Sequence, residues 1–152
     1  MDVTGGCRCG AVRYVVALDR VPLVYACHCT DCQTWSGSAF SEQFFLPQEL
    51  LEVSGAMVDY SFVNPMGRVS VQRFCPVCHT RLCNTNMARP AIVVVRAGTL
   101  DRSAEVQVAT HIWTRSMQPW VRLPDDAERF DEAAPMDVIN RLTDANRHRR
   151  PV

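Results

Sequence analysis

The chain reads as a mainly β domain of antiparallel sheets with a short C-terminal helix, and three observations predict it. Short runs of alternating, β-branched and aromatic residues recur along most of its length. Turn-forming residues separate those runs, and seven of the eight cysteines fall into three tight clusters at their ends.

In chain order, Gly5 and Gly6 lead into Cys7-Arg8-Cys9-Gly10, whose glycines let the backbone bend tightly, and then into a first strand at Ala11 to Val16. A second, Leu23 to Ala26, runs straight into Cys27-His28-Cys29-Thr30-Asp31-Cys32. Ser36-Gly37-Ser38 breaks the chain before a strand at Ala39 to Leu46, and Pro47 to Leu50 suits a single helical turn. Ser54-Gly55 precedes Val58 to Val63, and the turn Asn64-Pro65-Met66-Gly67 joins this to Arg68 to Phe74, which ends on Cys75-Pro76-Val77-Cys78. Arg89-Pro90 and Gly98 bound Ala91 to Ala97, and Val106 to Trp113 is the last strand. Pro135 suits the first turn of a final helix whose Val138, Ile139, Leu142 and Ala145 share one face. This divides the chain into a β domain over 1–135 and a helix with a basic tail, Arg147 to Arg150, over 136–152.

At 152 residues one domain can bury a core of its own. Sixteen basic residues balance sixteen acidic ones, so no global field draws in nucleic acid or an anionic membrane. No apolar stretch approaches the ~20 residues that span a bilayer. All the basic residues are arginine, which removes Schiff-base chemistry through a lysine amine. Met1 to Gly6 has neither a basic nor an apolar leader region, which predicts a cytoplasmic protein with reduced thiols. Disulfides are the competing use of the cysteines, and Cys-x-Cys pairs close strained rings.

Reduced cysteines in such clusters point to zinc, which takes four ligands in a structural site and three plus an exchangeable position in a catalytic one. The clusters supply two, three and two thiolates. Joining the triplet to a pair would crowd five sulfurs round one ion and strand the other pair. The economical partition is a structural ion on Cys7, Cys9, Cys75 and Cys78, and a second, catalytic ion on Cys27, Cys29 and Cys32 with one position open. A closed triplet would instead take Cys83 or His28 as its fourth ligand. Three thiolates leave zinc a weak Lewis acid but a ready acceptor of a further thiolate, which coordination deprotonates from its usual ~8.5. Thiol addition to an aldehyde, or its reversal by carbon–sulfur cleavage, suits such a site better than hydrolysis.

The segments Gly6 to Val12, Cys27 to Gln33 and Phe74 to Cys78, with His111-Ile112-Trp113 and Gln118-Pro119-Trp120, resemble the glutathione-dependent formaldehyde-activating enzyme family from about Gly5 to about Pro135. The resemblance implies a zinc-stabilised β-tent, the same division of cysteines, and an S-(hydroxymethyl)glutathione synthase-like lyase. Its partners would be glutathione and formaldehyde or another small aldehyde. One departure is His79, where the family commonly has glycine after the knuckle; histidine tolerates positive φ better than a β-branched residue.

Around the triplet, His28 should point away from the ion by alternation, Asp31 and Gln33 suit either turn or substrate contacts, and His111 is either a proton relay or a buried strand histidine. The carboxylates of glutathione call for arginine, but sequence alone selects none of the sixteen. Two other functions stay open: a non-catalytic zinc module for a macromolecular partner, and a zinc-thiolate redox sensor.

Overall fold

In a computed structural model, which describes residues 2–64 and 66–147, the alternating runs form two sheets. Pro65 of the predicted turn and residues 148–150 of the basic tail lie outside the described residues. The smaller sheet pairs β1 (Val3–Gly6), β2 (Arg13–Val16) and β5 (Leu51–Ser54) antiparallel. The larger has eight strands. Its order is β11 (Glu128–Arg129), β10 (Gln107–Ile112), β3 (Leu23–Cys27), β4 (Ser41–Pro47), β9 (Arg89–Arg96), β8 (Arg81–Asn86), β7 (Val69–Phe74) and β6 (Val58–Val63). Pairing is antiparallel except at β10, which runs parallel to β3 and β11. Parallel pairing was not expected from the sequence, because it depends on the long connection between β9 and β10 rather than on local pattern.

Side chains alternate across a strand, so the large sheet has two faces. On one, Val24, Phe44, Leu46, Val93 and Val95 pack against Val3, Tyr14 and Val16 of the small sheet and Val12 just before β2. Gly5 sits where a Cβ would come within 2.4 Å of the Tyr14 ring, so only glycine permits that approach. On the other face, Tyr25, Phe45, Val94 and Ile112 form a second core with Val138, Ile139 and Leu142 of α2 (Met136–Ala145). The final helix thus starts one residue after Pro135 and buries the face its sequence marks. A 3₁₀ turn over Gln48–Leu50 is the expected helical turn.

Five strands and helices escape local reading: β1, β5, β8, β11 and α1 (Thr30–Ser36). β1 is rich in glycine and β8 in asparagine, which depresses strand propensity. α1 holds five polar residues and two apolar ones and forms because Cys29 caps it, its sulfur accepting the Cys32 amide at 3.4 Å, and Gly37 ends it with φ 64°.

Asn146 closes α2 onto the sheet. Buried, it accepts from the Leu23 amide at 2.9 Å and donates to the carbonyls of Leu23 and Phe45 at 3.1 and 3.0 Å. Asn146→Ala takes the partner from three backbone groups, of which the Phe45 carbonyl is buried, at about 1–3 kcal/mol for a group that water cannot reach. Urea unfolding should show a lower midpoint at unchanged slope, with the loss falling at or above the lower end of that range.

Candidate metal centres

Two groups of cysteines converge. Cys7 and Cys9 lie on the turn from β1 to β2, and Cys75 and Cys78 on the turn from β7 to β8; their four sulfurs all lie within 4.8 Å of one another. Cys27, Cys29 and Cys32 converge to the same limit at the end of β3 and the start of α1. Neither group includes Cys83 or His28. Cys83 is buried in the core between the sheets, and His28 turns aside.

Each knuckle is shaped by its backbone. In the first, the Cys7 amide donates to Val12 O and the Val12 amide to Cys7 Sγ at 3.2 Å, round Gly10 at φ 82°. In the second, the His79 amide donates to Cys75 O and the Val77 amide to Cys75 Sγ at 3.4 Å, round His79 at φ 57°. Histidine therefore does occupy the left-handed position the family gives to glycine. The Thr80 hydroxyl reaches Cys78 Sγ at 3.1 Å and is the largest influence drawing that thiol down to about 5.

The donor sets fit a tetrahedral metal. Zinc–sulfur bonds of ~2.3 Å at tetrahedral angles separate sulfurs by about 3.8 Å. The sulfurs of Cys7 and Cys9 are 3.5 Å apart, those of Cys9 and Cys75 3.8 Å, and those of Cys27 and Cys29 3.4 Å. Charge gives a second test. Cys32 is drawn down to about 2 by the Cys27 and Cys29 thiols that donate to it, with the Arg96 and Arg81 guanidiniums assisting, while contact with Cys29 and Cys32 pushes Cys27 far up. Sulfurs this close do not all ionise unaided, and a divalent cation is the counter-charge that lets them. Both clusters could thus hold metal ions, consistent with zinc.

The two groups differ in access. Cys27, Cys29 and Cys32 line a cleft of about 710 Å³, and none of Cys7, Cys9, Cys75 and Cys78 does. The cleft runs along the large sheet's second face, past Tyr25, Gln43 and Phe45, towards Asn84 and Asn86. Gln43 points its side-chain amide at Cys32 Sγ, 3.8 Å away.

His28 and His111 belong behind this wall. His28 Nε2 and His111 Nδ1 are 3.0 Å apart, both side chains are buried, and burial holds both rings below their usual pKa. Of the predicted strand end, Ile112 and Trp113 line the cleft and His111 does not. His111 and Trp113 do not share a face as alternation suggests, because the strand stops at Ile112 and Trp113 adopts φ 58°. Gln33 is a tie: its amide donates to His28 O at 2.7 Å and Ser116 O at 2.9 Å, and its oxygen accepts from Gln118, which in turn accepts from Trp120 Nε1. Asp31 lines the cleft from the first turn of α1.

Residues 2–116, well over half of the chain, match the family described as glutathione-dependent formaldehyde-activating enzyme. No curated protein matches. Among solved structures, a crystal structure of a Rhodobacter sphaeroides protein is similar, with 22% identity and a TM-score of 0.53 over 69% of this chain and 96% of that one. That likeness is one of fold.

The Gln33 tie carries a test. Gln33→Leu leaves the His28 and Ser116 carbonyls without their donor, which should cost about 1–3 kcal/mol. It should also loosen α1, so a chelator competing for metal should strip the triplet faster than in wild type while the other cluster keeps its rate.

Proposed function

This chain belongs to the glutathione-dependent formaldehyde-activating enzyme family, and we propose that it is a zinc-dependent carbon–sulfur lyase working on adducts of a small thiol, glutathione, with formaldehyde or another small aldehyde. In this reading Cys7, Cys9, Cys75 and Cys78 hold a structural zinc, and Cys27, Cys29 and Cys32 hold the catalytic one. The observation that carries it is the difference in access: the triplet faces a cleft of about 710 Å³ and the foursome does not. Its setting is a cytoplasm with reduced thiols, with small molecules rather than nucleic acid or membrane as partners.

Zinc on three thiolates supplies a soft acceptor that favours the anionic form of a substrate thiol. The rest falls to the chain. In the synthetic direction a bond forms from the thiolate sulfur to the aldehyde carbon, and the carbonyl π pair takes up a proton; the lyase direction reverses both. Cys29, as the cap of α1, fixes the spacing of the triplet, because its sulfur already accepts the Cys32 amide. Gln43 restrains Cys32 from the sheet. His28 and His111, paired and held neutral behind the wall, set the position of the Cys27 to Cys29 backbone rather than exchange protons with the cleft. Tyr25 and Phe45, stacked with centroids 4.4 Å apart, form the apolar floor on which the adduct would lie.

The activity is checked by exchange spectroscopy on zinc-loaded protein with glutathione and formaldehyde. Wild type should accelerate hemithioacetal exchange over buffer, and Cys29→Ala should lose at least about 100-fold of that acceleration, the scale of a lost catalytic interaction. Cys29→Ala should stay folded with one zinc fewer. Full exchange by that variant would sink the open-site mechanism. Cys75→Ala should instead unfold, since structural zinc binding of about 10–16 kcal/mol is coupled to folding. A cooperative thermal transition in the Cys75 variant at wild-type temperature would contradict the structural role.

A further inference from the structure

Among the described residues five arginines line the cleft with the triplet, and three of them, Arg81, Arg89 and Arg96, lie on the strands of its sheet wall, Arg81 and Arg89 through irregular strand pairing. Arg96 faces Gln43 across the β4–β9 ladder. Between β7 and β8 the register slips from Arg73/Cys83 to Phe74/Arg81, so Leu82 is an extra residue. That bulge turns Arg81 onto the same face as Asn84, which simple alternation would forbid. Between β8 and β9 the pairing jumps from Thr85/Val93 to Asn86/Arg89, setting Arg89 opposite Asn86. All three guanidiniums line the cleft.

Five of their nine donor nitrogens are buried and lack acceptors among the described residues. Nε of Arg81, Nε and Nη1 of Arg89, and Nε and Nη1 of Arg96 are out of contact with solvent and have no hydrogen-bond partner. Arg96 is 7% exposed; only its Nη2 is used, on Gln72 Oε1 at 3.3 Å and on Asn84 Oδ1. Stacking positions the others without consuming donors. The Arg81 guanidinium lies 4.0 Å from the centroid of the Trp35 ring, and that of Arg89 5.8 Å from Phe45. None of the ion pairs among the described residues includes these three. Of the acidic groups in the cleft, Glu132 is taken by Arg115, which leaves Asp31 near the rim. The Cys32 sulfur accepts a side-chain hydrogen bond from Arg81 and its charge reaches Arg96, but one sulfur does not match three forks.

Burying unpaired donors is costly, and a fork of guanidinium N–H groups matches a carboxylate. We propose that Arg81, Arg89 and Arg96 form a carboxylate clamp, which makes the cleft selective for an adduct that carries an acid group within one substrate length of the triplet. The proposal rests on the lyase reading and narrows it: a neutral thiol with a neutral aldehyde is the wrong substrate. The carboxylate comes either from the thiol, as in glutathione, or from the aldehyde, as in a 2-oxo acid.

Two measurements on the zinc-loaded full chain separate the clamp from the chemistry. The first is binding, by titration calorimetry, of S-methylglutathione and its diethyl ester, neither of which has a thiol to offer the metal. The clamp predicts that wild type prefers the acid by at least about tenfold, the scale of one charge-assisted contact. Arg89→Gln and Arg96→Gln should abolish the preference; Arg89→Gln should melt no lower than wild type, because it removes buried unpaired donors, whereas Arg96→Gln also takes the donor from Gln72 and Asn84 and should melt lower. The second is exchange turnover with glyoxylate against formaldehyde. An acid preference in the aldehyde pair, lost in the same variants, assigns the clamp to the aldehyde; one in the thiol pair assigns it to the thiol. Arginine-dependent binding without turnover by any pair upholds the clamp and removes the lyase. Turnover or binding with no acid preference in either pair, or variants that lose acid and ester equally, overturns the clamp and leaves the lyase standing.

Discussion

An eight-stranded sheet has two faces to cover, and in this chain only one of them is closed by a second sheet. The first face takes Val3, Val12, Tyr14 and Val16 and becomes a dry core. The second is covered by α2 over part of its length and is left as a cleft over the remainder. Every chemical feature of the protein lies at an edge of that division. The four-cysteine group joins the turn of the small sheet to a turn of the large one, so it ties the two layers across 66 positions of sequence between Cys9 and Cys75. The triplet opens on the uncovered side.

The polar character of the cleft then follows from register. Gln43, Gln72, Asn84 and Arg96 would be misplaced in a sandwich core, since a buried polar side chain without partners is costly. Here Gln72 and Asn84 accept from Arg96, Gln72 donates to Ser70 at 2.8 Å, and Gln43 reaches the Cys32 sulfur. The network is satisfied on its sheet side and unsatisfied on its cleft side. A chain with zero net charge thus gathers five of its sixteen arginines along one hollow, and the overall balance of acids and bases conceals it.

Much of this was legible from residues. The cysteine arithmetic separated the foursome from the triplet because ligand number constrains the partition, and the structure brings together those same groups. The strands with β-branched alternation, from Leu23 to Ile112, lie close to where alternation puts them. Three things were not legible. α1 depends on a sulfur as its cap, which no propensity records. Trp113 is itself left-handed, which takes it off the alternation of the strand that ends at Ile112. Arg81 and Arg89 depend on two slips in pairing, at Leu82 and at Asn86, and a slip by an odd number of residues inverts the assignment of face. An arginine next to a bulge carries no mark in the sequence.

The central claim is that one sulfur cluster is closed and the other has a position open to a substrate thiol. X-ray absorption at the zinc edge of the fully loaded protein tests it without reference to turnover. The account predicts a sulfur count between three and four per ion, averaged over the two sites, that rises to four when glutathione is added. Four sulfurs per ion in the resting protein, unchanged by glutathione, would mean that the triplet is already closed and would contradict it.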